Sequence, residues 1–195
     1  MEYLEETQKE NQVPLQPLRS YTFSDFLVVD YQTRRNLEIT QTIRDGTYHG
    51  SLLWAMNRTT TAMGGRALRR WLLQPLLDVK GIRARQDTIQ ELTENTALRQ
   101  DLRVLLRQIY DLERLTGRTG SGTANARDLS ALADSLSKLP QLGYLVKDAR
   151  SPFLKALHKV PPGMEELAEK IQAHIVESPP IQIKEGGLIR EGINP

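Results

Sequence analysis

A chain of 195 residues, 39% hydrophobic and 26% charged, is long enough for one domain with a proper core, and 6% aromatic content leaves aliphatic side chains to fill it. The formal charge of +2 gives no strong pull on a polyanion, and the absence of cysteine excludes disulfides, thiolate metal sites and cysteine nucleophiles. No apolar run has the length of a membrane span and the first residues lack a signal-type apolar region, so the expectation is a soluble, cytoplasmic protein.

Residues 1–17 are polar, with Glu2, Glu5, Glu6 and Glu10 against Lys9, and read as a weak helix or disordered lead-in ended by Pro14 and Pro17. Residues 18–195 form the main unit. In it, Phe26–Val29 is a short apolar run and Leu37-Glu38-Ile39-Thr40 alternates as a strand would. Asp30 can cap a helical turn reaching Arg34, which predicts strand, helical turn, strand. So small a β element has to lean on helices. Asp45-Gly46 marks a turn, and the loop that follows carries His49.

Ser51 to Leu77 is the stretch around which the rest is organised. Thr61 is placed to cap a helix that Pro75 stops after Leu73 or Gln74. At helical spacing Met63, Ala67 and Trp71 form one line, and Gly64, Leu68 and Leu72 the next. Glycines inside a helix cost about 1 kcal/mol each relative to alanine, so Gly64 predicts a second helix crossing closely there, with Trp71 as a buried anchor. Arg66, Arg69 and Arg70 fall on the outer surface. With Arg58 they suggest a nucleic-acid-binding face, but outward guanidinium groups are ordinarily solvated or paired, and no helix-turn-helix spacing accompanies them.

Asp78 caps a long helix to about Asn95, with Val79, Ile82, Ile89 and Leu92 on one face and Gln86 either a buried amide or a bend. Thr96 caps the next, which buries Leu98, Leu102, Leu105, Leu106 and Ile109. Asp111 starts a short helix through Leu115. Thr116–Thr123 (TGRTGSGT) reads as a flexible connector, since a phosphate loop needs a preceding strand and a Gly-Lys-Ser/Thr ending. Helical spacing resumes from Asn125 through Leu129, Leu132, Leu136 and Leu139, with a short helix to Val146. Ser151-Pro152 opens another helix, and Met164–Val176 is the last. Ile181–Lys184, a Gly186-Gly187 turn and Leu188–Arg190 predict a hairpin. The fold class is therefore mainly α: an irregular helical bundle with a small β element near the N-terminus and a C-terminal β-hairpin.

No constellation for catalysis is visible. His49, His158 and His174 lie apart and without metal-ligand spacing. Asp111 and Glu113 are one residue apart on a helix and point to different faces, a poor acid–base pair. Asp111 reads better as an N-cap, and Glu113 as a salt-bridge partner of a nearby arginine. No catalytic, nucleotide-binding, metal or DNA-binding residue is assigned.

Thr61-x-Met63-Gly64-x-Arg66-x-Leu68-x-x-Trp71-Leu72-x-x-Pro75 resembles the signature that opens the helical core domain of bacterial MutS-type mismatch-repair ATPases. Upstream, Asp30-x-x-Thr33-Arg34-Arg35-Asn36-Leu37-Glu38 is similar to that family's element between connector and core. Downstream, Arg85-Gln86, Asp111-Leu112-Glu113-Arg114, Pro179-Pro180 and Gly186-Gly187 fall in the family's order. The resemblance spans about Leu18 to Asn194 and implies a piece of a longer protein. It makes residues 1–17 the tail of the connector domain and 18–195 the first half of the core, or lever, domain, ending before the clamp. It further implies a non-enzymatic transmission role within an ATPase that uses ATP and Mg elsewhere in its chain. The partners it implies are mismatched double-stranded DNA, a MutL-type protein, the remaining MutS domains and a second copy as homodimer, with nucleoid association on DNA. If lever helices normally cover this unit, helices 79–94 and 97–109 should expose an apolar stripe.

Overall fold

The computed structural model describes residues 26–180 and 183–193. Ten α-helices follow one another in these residues: α1 Tyr31–Asn36, α2 Leu52–Met56, α3 Ala62–Leu73, α4 Val79–Glu94, α5 Thr96–Leu106, α6 Leu112–Gly120, α7 Ala126–Leu136, α8 Leu139–Leu145, α9 Pro152–His158 and α10 Gly163–His174. A 3-10 turn, Ile183–Glu185, comes after them. The expected connector tail, residues 1–17, lies outside the described residues. No described helix is long and apolar enough to cross a membrane.

Local chemistry starts most of these helices. A side-chain oxygen just ahead of the first turn accepts one of the orphan amide hydrogens there. Asp30 does so for Thr33, Ser51 for Trp54, Thr61 for Gly64 at 3.0 Å, Asp78 for Gly81 and Asp111 for Arg114. Asn125 and Asp128 form a reciprocal capping box. For α5 the cap is Asn95, whose side-chain Oδ1 accepts from the Leu98 amide at 3.0 Å, and not Thr96 as expected.

Packing then gathers the helices around two apolar clusters. One holds Leu102 and Leu105 of α5, Leu142 of α8, Val146, Ala149 and Leu154 of α9. The other holds Leu115 of α6, Leu132, Ala133 and Leu136 of α7, and Ala168 of α10. Leu139, at the start of α8, packs against both. At about 1.5–3 kcal/mol for each fully buried leucine-sized side chain, these clusters carry the bundle's stability.

The glycine at a close crossing is Gly143, not Gly64. A Cβ built on Gly143 meets Val160 Cγ2 at 3.3 Å and the His158 carbonyl oxygen at 3.4 Å, so a larger residue there would make the end of α9 give way slightly. At Gly64 the neighbours are Thr61 and Thr59, residues of its own entry turn. Helix α3 has no fully buried residue, and Trp71 is 39% exposed. The expected anchor is a surface residue.

Among the described residues the expected N-terminal β element does not form. Among the described residues, Phe26 makes one isolated bridge to Leu76, and the Leu27 amide donates to Pro75 O at 2.8 Å. Leu37–Thr40 does not extend, because its carbonyls serve α2: Glu38 O accepts from Leu52 N and Ile39 O from Leu53 N, both at 2.9 Å. Glu38 takes φ 47° to do this, and its carboxylate accepts from the Ile43 amide. Of the expected C-terminal hairpin, Ile181 and Gln182 lie outside the described residues. Leu188–Arg190 runs instead along the end of α10, with Val176 N donating to Leu188 O and Arg190 N to His174 O.

The expected connector at Thr116–Thr123 is largely helix, since α6 continues to Gly120. The Asp111 cap and the burial of Leu115 outweigh the glycine cost, while Thr116 and Thr119 turn their hydroxyls back onto the Leu112 and Leu115 carbonyls. Gln86 is exposed, so α4 neither bends nor buries an amide there. Exposed apolar residues include Val79 and Ile89 of α4 and Val104 of α5. They also include Leu52, Trp54 and Met56 of α2, so the uncovered surface is wider than the expected stripe.

Candidate functional site at the Arg66 joint

Helix α3 has no fully buried residue, and guanidinium groups make its charged contacts with the bundle. Arg66 sits one turn inside α3, the helix that Thr61 caps. Its Nη1 and Nη2 each donate to an Asp111 carboxylate oxygen at 2.7 Å, and its Nε donates to Glu113 Oε2 at 2.9 Å. This is the bidentate fork that suits arginine and that lysine cannot copy. Asp111 is simultaneously the N-cap of α6, so one carboxylate both starts that helix and grips α3.

Electrostatics follow the geometry. Hydrogen bonds from Arg66 hold the Asp111 carboxyl below its ordinary range, against the opposing effect of partial burial. The same two carboxylates raise the Arg66 guanidinium further above its already high value. Asp111 and Glu113 therefore converge instead of diverging. Asp111 precedes the helix as its cap, so the helical rotation between the two residues that the sequence reading assumed does not apply.

Two further arginines complete the joint. Arg103 of α5 donates to the Arg58 carbonyl at 3.0 Å, and the Arg85 guanidinium of α4 lies 3.8 Å from the centre of the Trp71 ring. Sequence reasoning missed both roles. An arginine on an exposed helix face gives no sign that it will reach a backbone carbonyl or an indole on another element.

The four arginines of the suspected basic face are not equivalent. Arg66 is neutralised by two carboxylates, Arg58 hydrogen-bonds the Asn57 carbonyl, and Arg69 and Arg70 are exposed without ion-pair partners among the described residues. The histidines also stay apart. His49 packs on the Trp54 ring, His158 contacts Gly143 O, and His174 contacts Lys170 O in its own helix. Among the described residues no group of histidine, aspartate or glutamate side chains could hold a metal ion.

Residues 32–191, which contain the whole joint, match the family model for MutS domain III. The chain belongs to that family. It is 78% identical over 195 residues to the DNA mismatch repair protein MutS of Nostoc punctiforme, 76% to that of Trichormus variabilis and 66% to that of Synechocystis. Each comparison covers the whole of this chain but only 22% or 23% of the relative. The chain thus spans less than a quarter of the length of the curated relatives it matches.

Proposed function

We propose that this MutS domain III acts as a mechanical element of a bacterial DNA mismatch-repair ATPase, passing changes of nucleotide state to the parts that grip mismatched DNA. The observation that carries the reading is the Arg66 fork on Asp111 and Glu113, 45 residues or more away in sequence, which couples α3 directly to the start of α6. A joint of charged hydrogen bonds between packed helices transmits displacement while both sides stay folded. Packed elements of this kind tend to switch between discrete arrangements rather than deform smoothly. In this reading the module contributes no catalytic group. ATP and Mg act elsewhere in the full-length protein, which works in the cytoplasm as a homodimer on mismatched duplex with a MutL-type partner.

The test uses the full-length Nostoc relative carrying this module in place of its own. Arg66→Gln should leave ATP affinity and basal hydrolysis intact while weakening the ATP-triggered release from a mismatched duplex. Arg66→Lys should repair this only partly, since an ammonium cannot make the fork. Unchanged release in both variants would refute the coupling role.

A further inference from the structure

Asp45-Gly46 is the only place in the sequence where an aspartate is followed by a glycine. The amide nitrogen after that carboxyl is flanked by no side chain of its own residue, and the structure leaves its surroundings open as well. Gly46 takes φ 64°, and a Cβ built on it would meet nothing within 4 Å. The Asp45 side chain is 62% exposed, and its ion pair with the still more exposed Arg44, at 3.7 Å, is of a kind that contributes little. The Gly46 N–H donates to Thr42 O at 3.0 Å, and the Thr42 N–H to Thr47 O at 2.9 Å. These bonds close a surface turn in which no residue from 40 to 50 is buried, so they open far more readily than those of the packed helices.

The other described aspartates are held differently. Asp30, Asp78 and Asp111 keep their carboxylates on helix-capping amides further along the chain. Asp87, Asp101, Asp128 and Asp134 lie within α4, α5 and α7, where the helix fixes the amide that follows. After Asp148, the amide of buried Ala149 donates to Val146 O at 3.0 Å.

We infer that Asp45 is a site of spontaneous backbone isomerisation, at which the Gly46 nitrogen closes a succinimide ring on the Asp45 side chain. The nitrogen attacks Cγ of the protonated carboxyl, and the amide hydrogen and the carboxyl hydroxyl leave as water. A second water then opens the ring. Cleavage at the side-chain carbonyl restores aspartate, and cleavage at the main-chain carbonyl leaves isoaspartate, with the chain continuing through Cγ. Nothing is oxidised or reduced, and the net mass is unchanged. The product inserts a methylene into the turn beside Ile43, whose amide donates to the Glu38 carboxylate. It also frees an α-carboxylate, which suits the site to a repair enzyme of the carboxyl-methyltransferase class. Such an enzyme moves a methyl group from a sulfonium donor to that carboxylate, and methanol leaves when the Gly46 nitrogen recloses the ring. The reaction does not depend on the joint at Arg66.

The test ages the 195-residue chain in neutral buffer and reads residue 45 by peptide mapping with electron-transfer fragmentation, which separates the two linkages. Methyl acceptance from labelled S-adenosylmethionine, with an isoaspartyl methyltransferase added, is the second readout. Isoaspartate should accumulate at residue 45 ahead of Asp87, Asp134 and Asp148, preceded by a peptide lighter by one water. Asp45→Ala should reduce methyl acceptance to what the other aspartates supply. Asp45→Glu keeps the charge beside Arg44 but would need a six-membered ring, and it should show the same loss. Asp45 is exposed, so both variants keep the fold.

A native chain without isoaspartate at residue 45 would overturn the site. Isoaspartate that appears there only in urea would overturn it too, because the folded turn would then be holding the nitrogen away from the carboxyl. Equal methyl acceptance by the parent and both variants would place the reaction at another aspartate.

Discussion

Ser135→Ala removes a single oxygen from the most enclosed part of α7, and its consequence can be worked out atom by atom. Ser135 is fully buried. Its Oγ accepts from the Tyr110 amide at 3.0 Å and donates to Ala131 O at 2.8 Å. The second bond is a return to the preceding helical turn, and losing it costs little, since the Ala131 carbonyl stays in the helix. The first bond matters more. Tyr110 lies in the turn between α5 and α6, where its N–H has no helical acceptor, and an unsatisfied donor facing a buried helix costs about 1–3 kcal/mol. Alanine's better helix propensity returns about 0.5 kcal/mol. The net loss is then about 0.5–2.5 kcal/mol, read as a lower urea midpoint at unchanged slope, or as a fall of about 1–10 °C in Tm for a domain of this size. Ser130→Ala is the control, because the Ser130 hydroxyl bonds only Ala126 O in its own helix. It should stay within about 0.5 kcal/mol of the parent. Equal midpoints for the two variants would refute the claim that Ser135 holds the α5–α6 turn onto α7.

Leu105→Ala, at a site 2% exposed, should cost about 3–5 kcal/mol, while Trp71→Ala should cost under about 2 kcal/mol, and a reversed order in urea melts would restore Trp71 to the core. The Asp111 carboxyl is depressed on folding, so its contribution is present above its unfolded pKa of about 3.9 and lost as pH falls through the lower folded value. The stability gap between the parent and Asp111→Asn should accordingly be constant near neutrality and close below about pH 4, and parallel pH curves would contradict this. In hydrogen exchange, amides of α3 should open before those around Ala133 of α7, which is wholly buried, and equal protection would show a single cooperative unit.

Much of the helical part was legible because its signals are local. Asp30, Thr61, Asp78 and Asp111 cap helices where a short oxygen-bearing side chain precedes an apolar repeat. The resemblance to MutS was equally legible, since it rests on residue identities over most of the chain. What could not be read was non-local. Leu37–Thr40 alternates like a strand, but its carbonyls are claimed by amides of Leu52 and Leu53, a partnership that no period reveals. Trp71 has the spacing of a core residue on α3, yet its partner is a guanidinium from α4. Thr116–Thr123 has the composition of a loop, and helix wins there through Asp111 at one end and buried Leu115 in the middle. The Arg66 joint was half legible: Glu113 was read as an arginine's partner, but Asp111's double duty needed the fold.

The two ways this domain holds itself together have different physical consequences. The clusters on either side of Leu139 are apolar, so separating α5 from α8, or α7 from α10, exposes hydrocarbon and is opposed by the hydrophobic effect over the whole contact. Helix α3 and its entry turn add contacts of another kind, Arg66 on Asp111 and Glu113, Arg103 on the Arg58 carbonyl and Arg85 on Trp71, whose charged groups water can solvate once they part. Net energies of such bonds are small because hydration replaces them, whereas their geometry is strict. An attachment of that kind specifies one position sharply and still releases at low cost. A domain that relays movement needs both properties together, a bundle that keeps its shape and a joint that can change its partner. In this chain they fall on different residue types: leucines hold the bundle, and arginines hold the joint.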